Sequence, residues 1–441
     1  RSAGALTIDN LRARTGLDEM PILGPDAVTV PGAVAGWFDV LERFGSLPFG
    51  EVAAPALGLA RDGFELTETG RAVFTEFGGI YDAEFPDLLG SYREAITGRM
   101  LRQPELARTI ELLAADGPDA LYRGPIGAAV AETVQRAGGV LSTDDLAAHT
   151  GSWTEPIRAR YRNVEVVELP PPTQGVAALE ALRILDGFPL PEDPVARNHL
   201  QIEAMKLALV DRETFVTDPA HMPFPVDHFL TDSWIGDRRD RLDPDVAVLP
   251  EPGVAKVGGT AYLCAADADG LLVSMIQSNF MSFGSGVRDL TWGINLNNRG
   301  SSFFLDPNAV NALGSSKLPM HTLIPAMALR DGRPWLVFGT MGADAQAPVH
   351  VQLLGRMVDD GADLQVAISA PRWRLDVGDW RVWTEGRFDA AIPEGLRGRG
   401  HAVWVARSYD SSMGHAHAIE LTPGGYAVAT DPRADGAALG L

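Results

Sequence analysis

A β-hairpin pattern that begins at a threonine constrains this chain more than any other feature. Two apolar runs, 261–266 and 271–276, flank the dipeptide Asp269-Gly270. Asp-Gly between two apolar runs is a strong signal for a tight turn between antiparallel strands. Thr260, which follows Gly259, is therefore predicted to open a rigid strand. If the peptide bond before Thr260 is cut, the new α-amine can serve as general base for the threonine hydroxyl.

The same residues also fit an ordinary junction between a loop and a strand. Gly-Gly-Thr sequences are frequent at such junctions, and a short motif alone seldom identifies a catalytic residue. A catalytic role for Thr260 therefore needs support from the rest of the chain.

The composition is that of a folded protein with an acidic balance. Of 441 residues, 46% are apolar and 22% are charged, which allows a sizeable core. The formal net charge of −21 argues against binding to nucleic acid or to an anionic membrane, since both need a positive surface. No run approaches the roughly 20 apolar residues of a membrane span. We expect no cofactor.

The chain has a single cysteine, Cys264, so the sequence excludes an internal disulfide and a thiolate metal cluster. Cys264 lies in the strand after Thr260 without a basic neighbour in the sequence. A buried, unreactive thiol is therefore expected.

The secondary-structure pattern changes from mainly helical to β-rich along the chain. Helical spacing of apolar residues predicts helices after Gly32 and at 54–60, 105–114, 126–137, 176–185 and 196–215, with a strand at 164–169. Beyond the hairpin, strands are predicted at 294–296, 322–329, 333–339, 380–383, 401–405, 417–421 and 426–429, with a helix at 348–357. This order predicts an α+β fold with two sheets between helical layers.

Two connecting segments stand out. Pro170 to Gly175 stops a strand and bends into a helix, whose N-terminal N–H groups can meet an anion or polar ligand. From these residues alone a stiff connector is the favoured interpretation. The most linker-like segment is 243–259, which leads directly into Thr260.

Two further segments supply groups that acyl transfer by Thr260 requires. Ser278 lies where the second hairpin strand ends, so its hydroxyl can bond the nucleophile. Gly342 and Ala343 lie between a strand and a helix, where their N–H groups can point at one developing oxyanion. Each feature alone is also ordinary turn chemistry.

Together these segments resemble the γ-glutamyltransferase family of N-terminal nucleophile hydrolases. The order and spacing of the motifs agree over nearly the whole chain: Val30 to Gly36, Pro170 to Gly175, Thr260 with Asp269-Gly270, Phe283-Gly284, Leu296 to Asn298, Pro319 to Pro325 and Gly339 to Asp344. The resemblance favours Thr260 as the nucleophile.

The resemblance implies a four-layer αββα sandwich and self-cleavage between Gly259 and Thr260. Residues 1–259 then form a mainly helical large segment and residues 260–441 a β-rich small segment, together one globular domain. We expect a heterodimer of these fragments, with pairing of two heterodimers left open. Thr260 attacks a γ-glutamyl amide, and the acyl group passes to water or to an amine.

Residue roles follow from the same resemblance. Arg1 matches the arginine that binds the substrate carboxylate, and Asn298 falls among the substrate-binding residues. Ser278 matches the hydroxyl beside the nucleophile, and Gly342 with Ala343 matches the oxyanion-hole pair. Members of the family usually carry further residues upstream, so we expect residues to be missing before Arg1. The compartment, cytoplasmic or periplasmic and secreted, stays open.

Departures from the family pattern concern the substrate. Where the family holds the donor's α-amine with a glutamine and an acidic residue, this chain has Arg299 and Ser302. Arg299 would repel an ammonium and attract a carboxylate. His321 and Thr322 replace a serine pair that helps to bind the α-carboxylate, and Ala343 replaces a glycine. We therefore expect glutaryl-type amides, as in the branch that contains certain cephalosporin acylases, rather than ordinary γ-glutamyl donors.

Two alternatives remain. The chain can be an uncleaved, inactive member of the family with a binding or structural role. His415 and His417 suggest a metal site, but we expect alternate histidines of a strand to face opposite sides, which favours a structural role and no bound metal.

Overall fold

The hairpin predicted after Thr260 is present in the computed structural model, which describes residues 1–81, 84–90, 92–250 and 259–440. The carboxylate of Asp267 accepts hydrogen bonds from the N–H groups of Asp269 (3.0 Å) and Leu271 (2.8 Å). Gly270 has a φ of 91°, a left-handed conformation that glycine adopts at little cost. The Asp-Gly turn therefore forms as predicted.

Contacts within the chain define two compact units. One unit combines Arg1–Trp153 with Asn279–Pro319, and the other combines Thr154–Ser278 with Met320–Leu441. We call them the N-terminal unit and the nucleophile unit. Each unit takes chain from both sides of Thr260, so this division is a different one from the two cleavage segments, which stay a prediction.

Helices are found in both units. The α-helices of the described residues are α1 (Ile8–Thr15), α2 (Ala33–Phe44), α3 (Phe49–Val52), α4 (Ala54–Asp62), α5 (Glu68–Tyr81), α6 (Pro86–Gly90), α7 (Arg93–Gly98), α8 (Pro104–Asp116), α9 (Asp119–Tyr122), α10 (Pro125–Arg136), α11 (Thr143–Ala147), α12 (Gly175–Leu185), α13 (Pro194–Phe215), α14 (Asp232–Arg241), α15 (Gln346–Leu354), α16 (Leu364–Ser369) and α17 (Ala391–Gly398). Among them, no helix has both the length and the apolar character needed to cross a membrane.

The strands of the described residues are mostly in the nucleophile unit. They are β1 (Phe64–Glu65), β2 (Met100–Leu101), β3 (Ile157–Tyr161), β4 (Val164–Glu168), β5 (Gly259–Ala266), β6 (Leu272–Phe280), β7 (Arg288–Asp289), β8 (Ile294–Asn295), β9 (Ala326–Arg330), β10 (Arg333–Met341), β11 (Trp373–Asp376), β12 (Arg381–Glu385), β13 (Val403–Ala406), β14 (His415–Thr422) and β15 (Gly425–Thr430).

The N-terminal unit is mainly helical. Its largest core cluster takes fully buried side chains from α1, α10 and α11, including Leu11, Ile126 and Leu146. Helix α10 follows Gly124 and has Pro125 in its first turn, where a missing N–H costs nothing. Ser142 and Asp145 cap α11 reciprocally.

The nucleophile unit is built on a six-stranded antiparallel sheet in the order β15-β14-β10-β9-β4-β3. Helix α12 packs against β3 and is buried over almost its whole surface, between the sheet and the helices α13 and α15. The β5–β6 hairpin contacts β10 and β14. A separate sheet, β11-β12-β13, pairs β12 with β13 in parallel.

Close packing on a glycine sets the position of β5 against β10. A Cβ atom at Gly339 would lie 2.3 Å from the ring of Tyr262, so the ring lies directly on the backbone of β10. The Tyr262 hydroxyl bonds Ser274 (2.9 Å), and its ring stacks on His417 at 6.4 Å. Tyr262 is two residues from Thr260, so this contact also places the predicted nucleophile.

Most predicted elements are present, with shifted ends. The helices expected at 54–60, 105–114, 126–137 and 196–215 are α4, α8, α10 and α13. The strand expected at 322–329 begins only at Ala326, because the polar groups before it bond side chains: Thr322 O accepts from Gln174 and the Ile324 N–H donates to Gln346. Strand β3 was not predicted, although Ile157–Tyr161 alternates buried and exposed residues.

We expect Gly339→Ala to lower the free energy of unfolding by about 1–3 kcal/mol, because the added methyl group overpacks the contact with Tyr262. Urea denaturation measures the change. In a Tyr262→Leu background the ring is gone, so the same substitution should cost much less. An equal loss in both backgrounds would show that the ring does not cause the effect.

Candidate functional site

Two hydroxyl groups and one carbonyl form a short hydrogen-bonded chain at the start of β5. The Thr260 Oγ1 donates to Ser278 Oγ (3.1 Å), and Ser278 Oγ donates to the carbonyl oxygen of Gly259 (2.7 Å). Both side chains are half-buried. The chain joins the predicted nucleophile to the carbonyl of the peptide bond that is predicted to be cut.

The loop after β10 has a left-handed backbone at Gly342 (φ 134°) and Ala343 (φ 50°). Such a conformation is unfavourable for alanine and has to be stabilised by its surroundings. Thr340 Oγ1 donates to Met341 O (2.7 Å), and the Ala345 N–H donates to Gly342 O (2.9 Å). In a trans peptide the N–H points away from the carbonyl, so the N–H groups of Gly342 and Ala343 point away from these bonds.

Gln174, which the sequence marked only as part of a turn, has its side chain in this region. It is fully buried, and its amide group donates to Ala343 O (2.9 Å) and Thr322 O (3.1 Å). Its Oε1 accepts from Arg212 (2.5 Å). No sequence pattern announces these bonds, because Gln174 and Ala343 are far apart along the chain.

Arg212 is a second buried residue that sequence reasoning missed. Its Nη1 also donates to Asp344 (2.7 Å), and its Nη2 pairs with Glu213 (2.7 Å). Burial opposes the charge of Arg212, but the carboxylates of Asp344 and Glu213 outweigh it and raise its pKa above the ordinary value. Arg212 is therefore a satisfied buried cation.

The two residues expected near the substrate carboxylate, His321 and Thr322, lie beside the proline-rich turn. The His321 N–H donates to Pro172 O (2.9 Å), and Thr322 is buried with its carbonyl bonded to Gln174. Through Gln174, the structure joins Thr322 to Ala343 in one network.

The remaining predicted substrate residues are in the N-terminal unit. Asn298 is fully buried and directly precedes a 3₁₀ turn, Arg299–Ser302, while its side chain bonds Ile22 O (2.8 Å) and the Met281 N–H (3.0 Å). Arg1 is exposed and donates to Ser316 O (3.0 Å). Their placement in this unit leaves their predicted roles untested.

Arg299 is a buried cation of a different kind from Arg212. It is 8% exposed, and neither of its Nη atoms meets a hydrogen-bond partner among the described residues. Its guanidinium lies 4.4 Å above the ring of Phe280, a contact that attracts a cation but leaves its N–H groups unbonded. Burial lowers the pKa of Arg299 to about 9, so it still carries its charge at neutral pH.

The Oγ of Ser302 lies in the same turn and also lacks a partner within the described residues. Unpaired buried polar groups are costly, and one that persists needs a reason such as a bound ligand. A buried cation and a buried hydroxyl in one turn, both without partners among the described residues, have the chemistry of an anion site.

The histidine argument from the sequence was wrong in its geometry. Side chains two residues apart on a strand share a face, so His415 and His417 of β14 do not point to opposite sides. Each ring has its own partner, Ser411 for His415 (2.8 Å) and Thr430 for His417 (2.9 Å).

A different group has the spacing of a metal site, namely His199, Glu203 and His401, all buried. Here the Lys206 ammonium donates to Glu203 (2.8 Å) and lies 3.3 Å from His401. Burial, followed by the Lys206 charge, lowers the pKa of His401 to about 2. The group already holds a cation, and the donor set does not fit a metal with Lys206 in place.

His199 of this group and the neighbouring Lys206 bond two carbonyl groups at the start of the predicted linker. His199 bonds Asp243 O (2.9 Å), and Lys206 donates to Val248 O (2.8 Å). Of the linker predicted at 243–259, residues 251–258 lie outside the described residues. Cys264 is half-buried and not fully buried as expected, but burial raises the pKa of its thiol to about 11, which agrees with the expected unreactive thiol.

Two named relatives match this chain over almost its whole length. A glutathione hydrolase-like YwrD proenzyme of Bacillus subtilis is 34% identical over 97% of this chain and 83% of its own length. An oxamate amidohydrolase proenzyme of Klebsiella pneumoniae is 36% identical over 100% of this chain and 86% of its own length.

Among solved structures, a cephalosporin acylase from Bacillus halodurans has a TM-score of 0.91 and 35% identity over 99% of this chain and 82% of its own. This likeness confirms the predicted α+β sandwich of the N-terminal nucleophile hydrolase type. The sequence model of the family described as gamma-glutamyltranspeptidase matches residues 1–441. The chain therefore belongs to the gamma-glutamyltranspeptidase family.

Proposed function

We propose that the chain cuts itself between Gly259 and Thr260 and then acts on acyl amides through an acyl-enzyme on Thr260. The observation that carries this proposal is the hydrogen-bonded chain from Thr260 Oγ1 through Ser278 to Gly259 O. The names of the Bacillus and Klebsiella relatives, both called proenzymes, support processing.

Self-cleavage follows from the positions of these atoms. Thr260 Oγ1 attacks the carbonyl carbon of Gly259 as its proton passes to Ser278, which gives its own proton to the carbonyl oxygen. The carbon–nitrogen bond then breaks, the proton moves to nitrogen, and Gly259 is left as an ester on Thr260. Breaking the carbon–nitrogen bond has already freed the α-amine of Thr260, and water then hydrolyses the ester, which releases the Gly259 carboxylate and frees Thr260 Oγ1.

The freed amine then supports catalysis. It takes the proton of Thr260 Oγ1 as the oxygen attacks the substrate amide carbon, and it returns that proton to the leaving amine. We assign the N–H groups of Gly342 and Ala343 to the oxyanion, a contribution worth about 3–4 kcal/mol per donor in known cases. Water or an amine then removes the acyl group.

The acyl group is proposed to end in a carboxylate, of the γ-glutamyl or, preferably, the glutaryl type. Arg299, with its unpaired Nη atoms, and Ser302 provide the binding groups, and a bidentate carboxylate would satisfy the guanidinium. The Klebsiella relative is named for oxamate, an amide that itself carries a carboxylate. Arg1, Asn298, His321 and Thr322 are proposed to complete substrate binding.

Replacing the nucleophile should stop processing. Thr260→Ala is expected to remain a single band near 47 kDa on denaturing electrophoresis, whereas the native chain gives two fragments. Ser278→Ala should slow cleavage about 100- to 10,000-fold, a loss typical of removing one proton-transfer group. Ser369→Ala is the control and should process normally, because Ser369 is a half-buried serine of the same unit whose hydroxyl bonds Gln365 (2.8 Å).

A native chain that stays intact after long incubation would instead identify an uncleaved, inactive family member. Two fragments from Thr260→Ala would show that another residue or a contaminating protease cuts the chain.

Arg299 should decide which acyl group is accepted. We expect the native protein to hydrolyse glutaryl anilide faster than γ-glutamyl anilide, because the α-ammonium of the latter meets a cation. Arg299→Gln should reduce kcat/KM for glutaryl anilide by about 30- to 5000-fold, as breaking a buried charge pair costs roughly 2–5 kcal/mol.

Arg288→Gln is the matched control, since Arg288 is buried in the same unit and its guanidinium already bonds Tyr92 (3.0 Å) and Asn295 (2.5 Å). It should leave the ratio of the two activities unchanged. Rapid γ-glutamyl turnover with no glutaryl turnover would contradict the proposed substrate.

A further inference from the structure

We infer that Gln174, supported by Arg212, is the positioning residue that holds the Gly342–Ala343 loop in its catalytic shape. This inference rests on the proposed function for its effect on rate. Its structural content, that Gln174 restrains the backbone at Ala343, stands on the described contacts alone.

The polar atoms of the Gln174 side chain are all in use. Its amide nitrogen has two protons, and these bond Ala343 O (2.9 Å) and Thr322 O (3.1 Å). Its oxygen accepts from Arg212 (2.5 Å). The orientation of the amide is therefore fixed by chemistry, because a flipped group would place its oxygen against two carbonyls and its nitrogen against a guanidinium.

The loop is held at two adjacent points. Gln174 bonds the carbonyl of Ala343, while Arg212 bonds the side chain of the next residue, Asp344, at 2.7 Å. One guanidinium nitrogen of Arg212 donates to both Gln174 and Asp344. The two contacts are thus coupled, and both act on the backbone directly after the strained φ of Ala343.

The supports of this arrangement are rigid. Gln174 immediately precedes the buried helix α12, and Arg212 lies in α13, which packs against α12. A Cβ atom at Gly175 would lie 2.6 Å from Leu169 O, so the chain passes too closely there for Gln174 to shift. Both Gln174 and Arg212 are fully buried, which strengthens their bonds relative to bonds in water.

The effect on catalysis should appear in kcat rather than in KM. Gln174 bonds neither Arg299 nor Ser302, so its loss leaves these proposed carboxylate-binding groups in place and misplaces the N–H groups of Gly342 and Ala343. Complete removal of an oxyanion donor costs about 100- to 1000-fold in kcat, so misplacement should cost about 10- to 100-fold.

Gln174→Glu is the sharpest variant, because the carboxylate keeps the shape and the bond to Arg212 but cannot donate to either carbonyl. Gln174→Met removes all three bonds at similar volume and covers the case in which the Glu variant fails to fold. The matched control is Gln352→Glu. Gln352 is buried in the same unit and also donates to two carbonyls, Pro348 O (3.0 Å) and Trp373 O (2.8 Å).

Two measurements are made on the processed protein with both fragments present. They are kcat and KM with glutaryl anilide, and hydrogen–deuterium exchange of a peptide covering 339–346. For Gln174→Glu or Gln174→Met we expect kcat to fall about 10- to 100-fold with KM within about twofold, and exchange in this peptide to rise about tenfold or more. Gln352→Glu should show neither change.

Unchanged exchange in 339–346 overturns the inference whatever the activity, and so does an equal loss of kcat in Gln352→Glu. If the native protein hydrolyses no acyl amide while exchange still rises in the Gln174 variants, the positioning role stands and the proposed function fails.

Discussion

The contact between the β5–β6 hairpin and β10 is the constraint on which the proposed chemistry depends. The Tyr262 ring occupies the space left by Gly339, so β5 cannot slide or rotate on β10 without a clash. This contact fixes the strand that begins at Thr260. Within the hairpin, Ser278 on β6 then bonds both Thr260 and the Gly259 carbonyl. A weak nucleophile is useful only when its proton acceptor and its target are held in place, and a two-stranded element on a rigid sheet does this.

Two buried arginines show how the same side chain serves two purposes. Arg212 has its charge balanced by Asp344 and Glu213, so it stabilises structure and needs nothing further. Arg299 is also buried, but among the described residues its Nη atoms meet no hydrogen-bond partner, and its guanidinium lies over the ring of Phe280. A buried charge without a partner is expensive, and a carboxylate ligand is the chemical group that would repay this cost best. The contrast is the physical basis for proposing a carboxylate-ended acyl group.

Sequence reasoning predicted what depends on local pattern. The Asp269-Gly270 turn, the hairpin strands, Ser278 beside Thr260 and the long helix α13 all follow from spacing over a few residues, and the structure contains them. It could not predict contacts between distant segments. Gln174 reaches Ala343 across 169 positions, and nothing in its neighbourhood signals this. The prediction for the histidines of β14 was wrong for another reason. It placed side chains two residues apart on opposite faces of the strand, whereas such side chains share one face.

The central claim is that Thr260 becomes the N-terminal nucleophile that carries the acyl group. Its most direct test is intact mass spectrometry of purified protein mixed with a glutaryl amide and quenched in acid. The account predicts two fragments divided between Gly259 and Thr260, with one glutaryl group added to Thr260 at the start of the 260–441 fragment. A single unmodified chain of 47.2 kDa, or a glutaryl group on any residue other than Thr260, would contradict it.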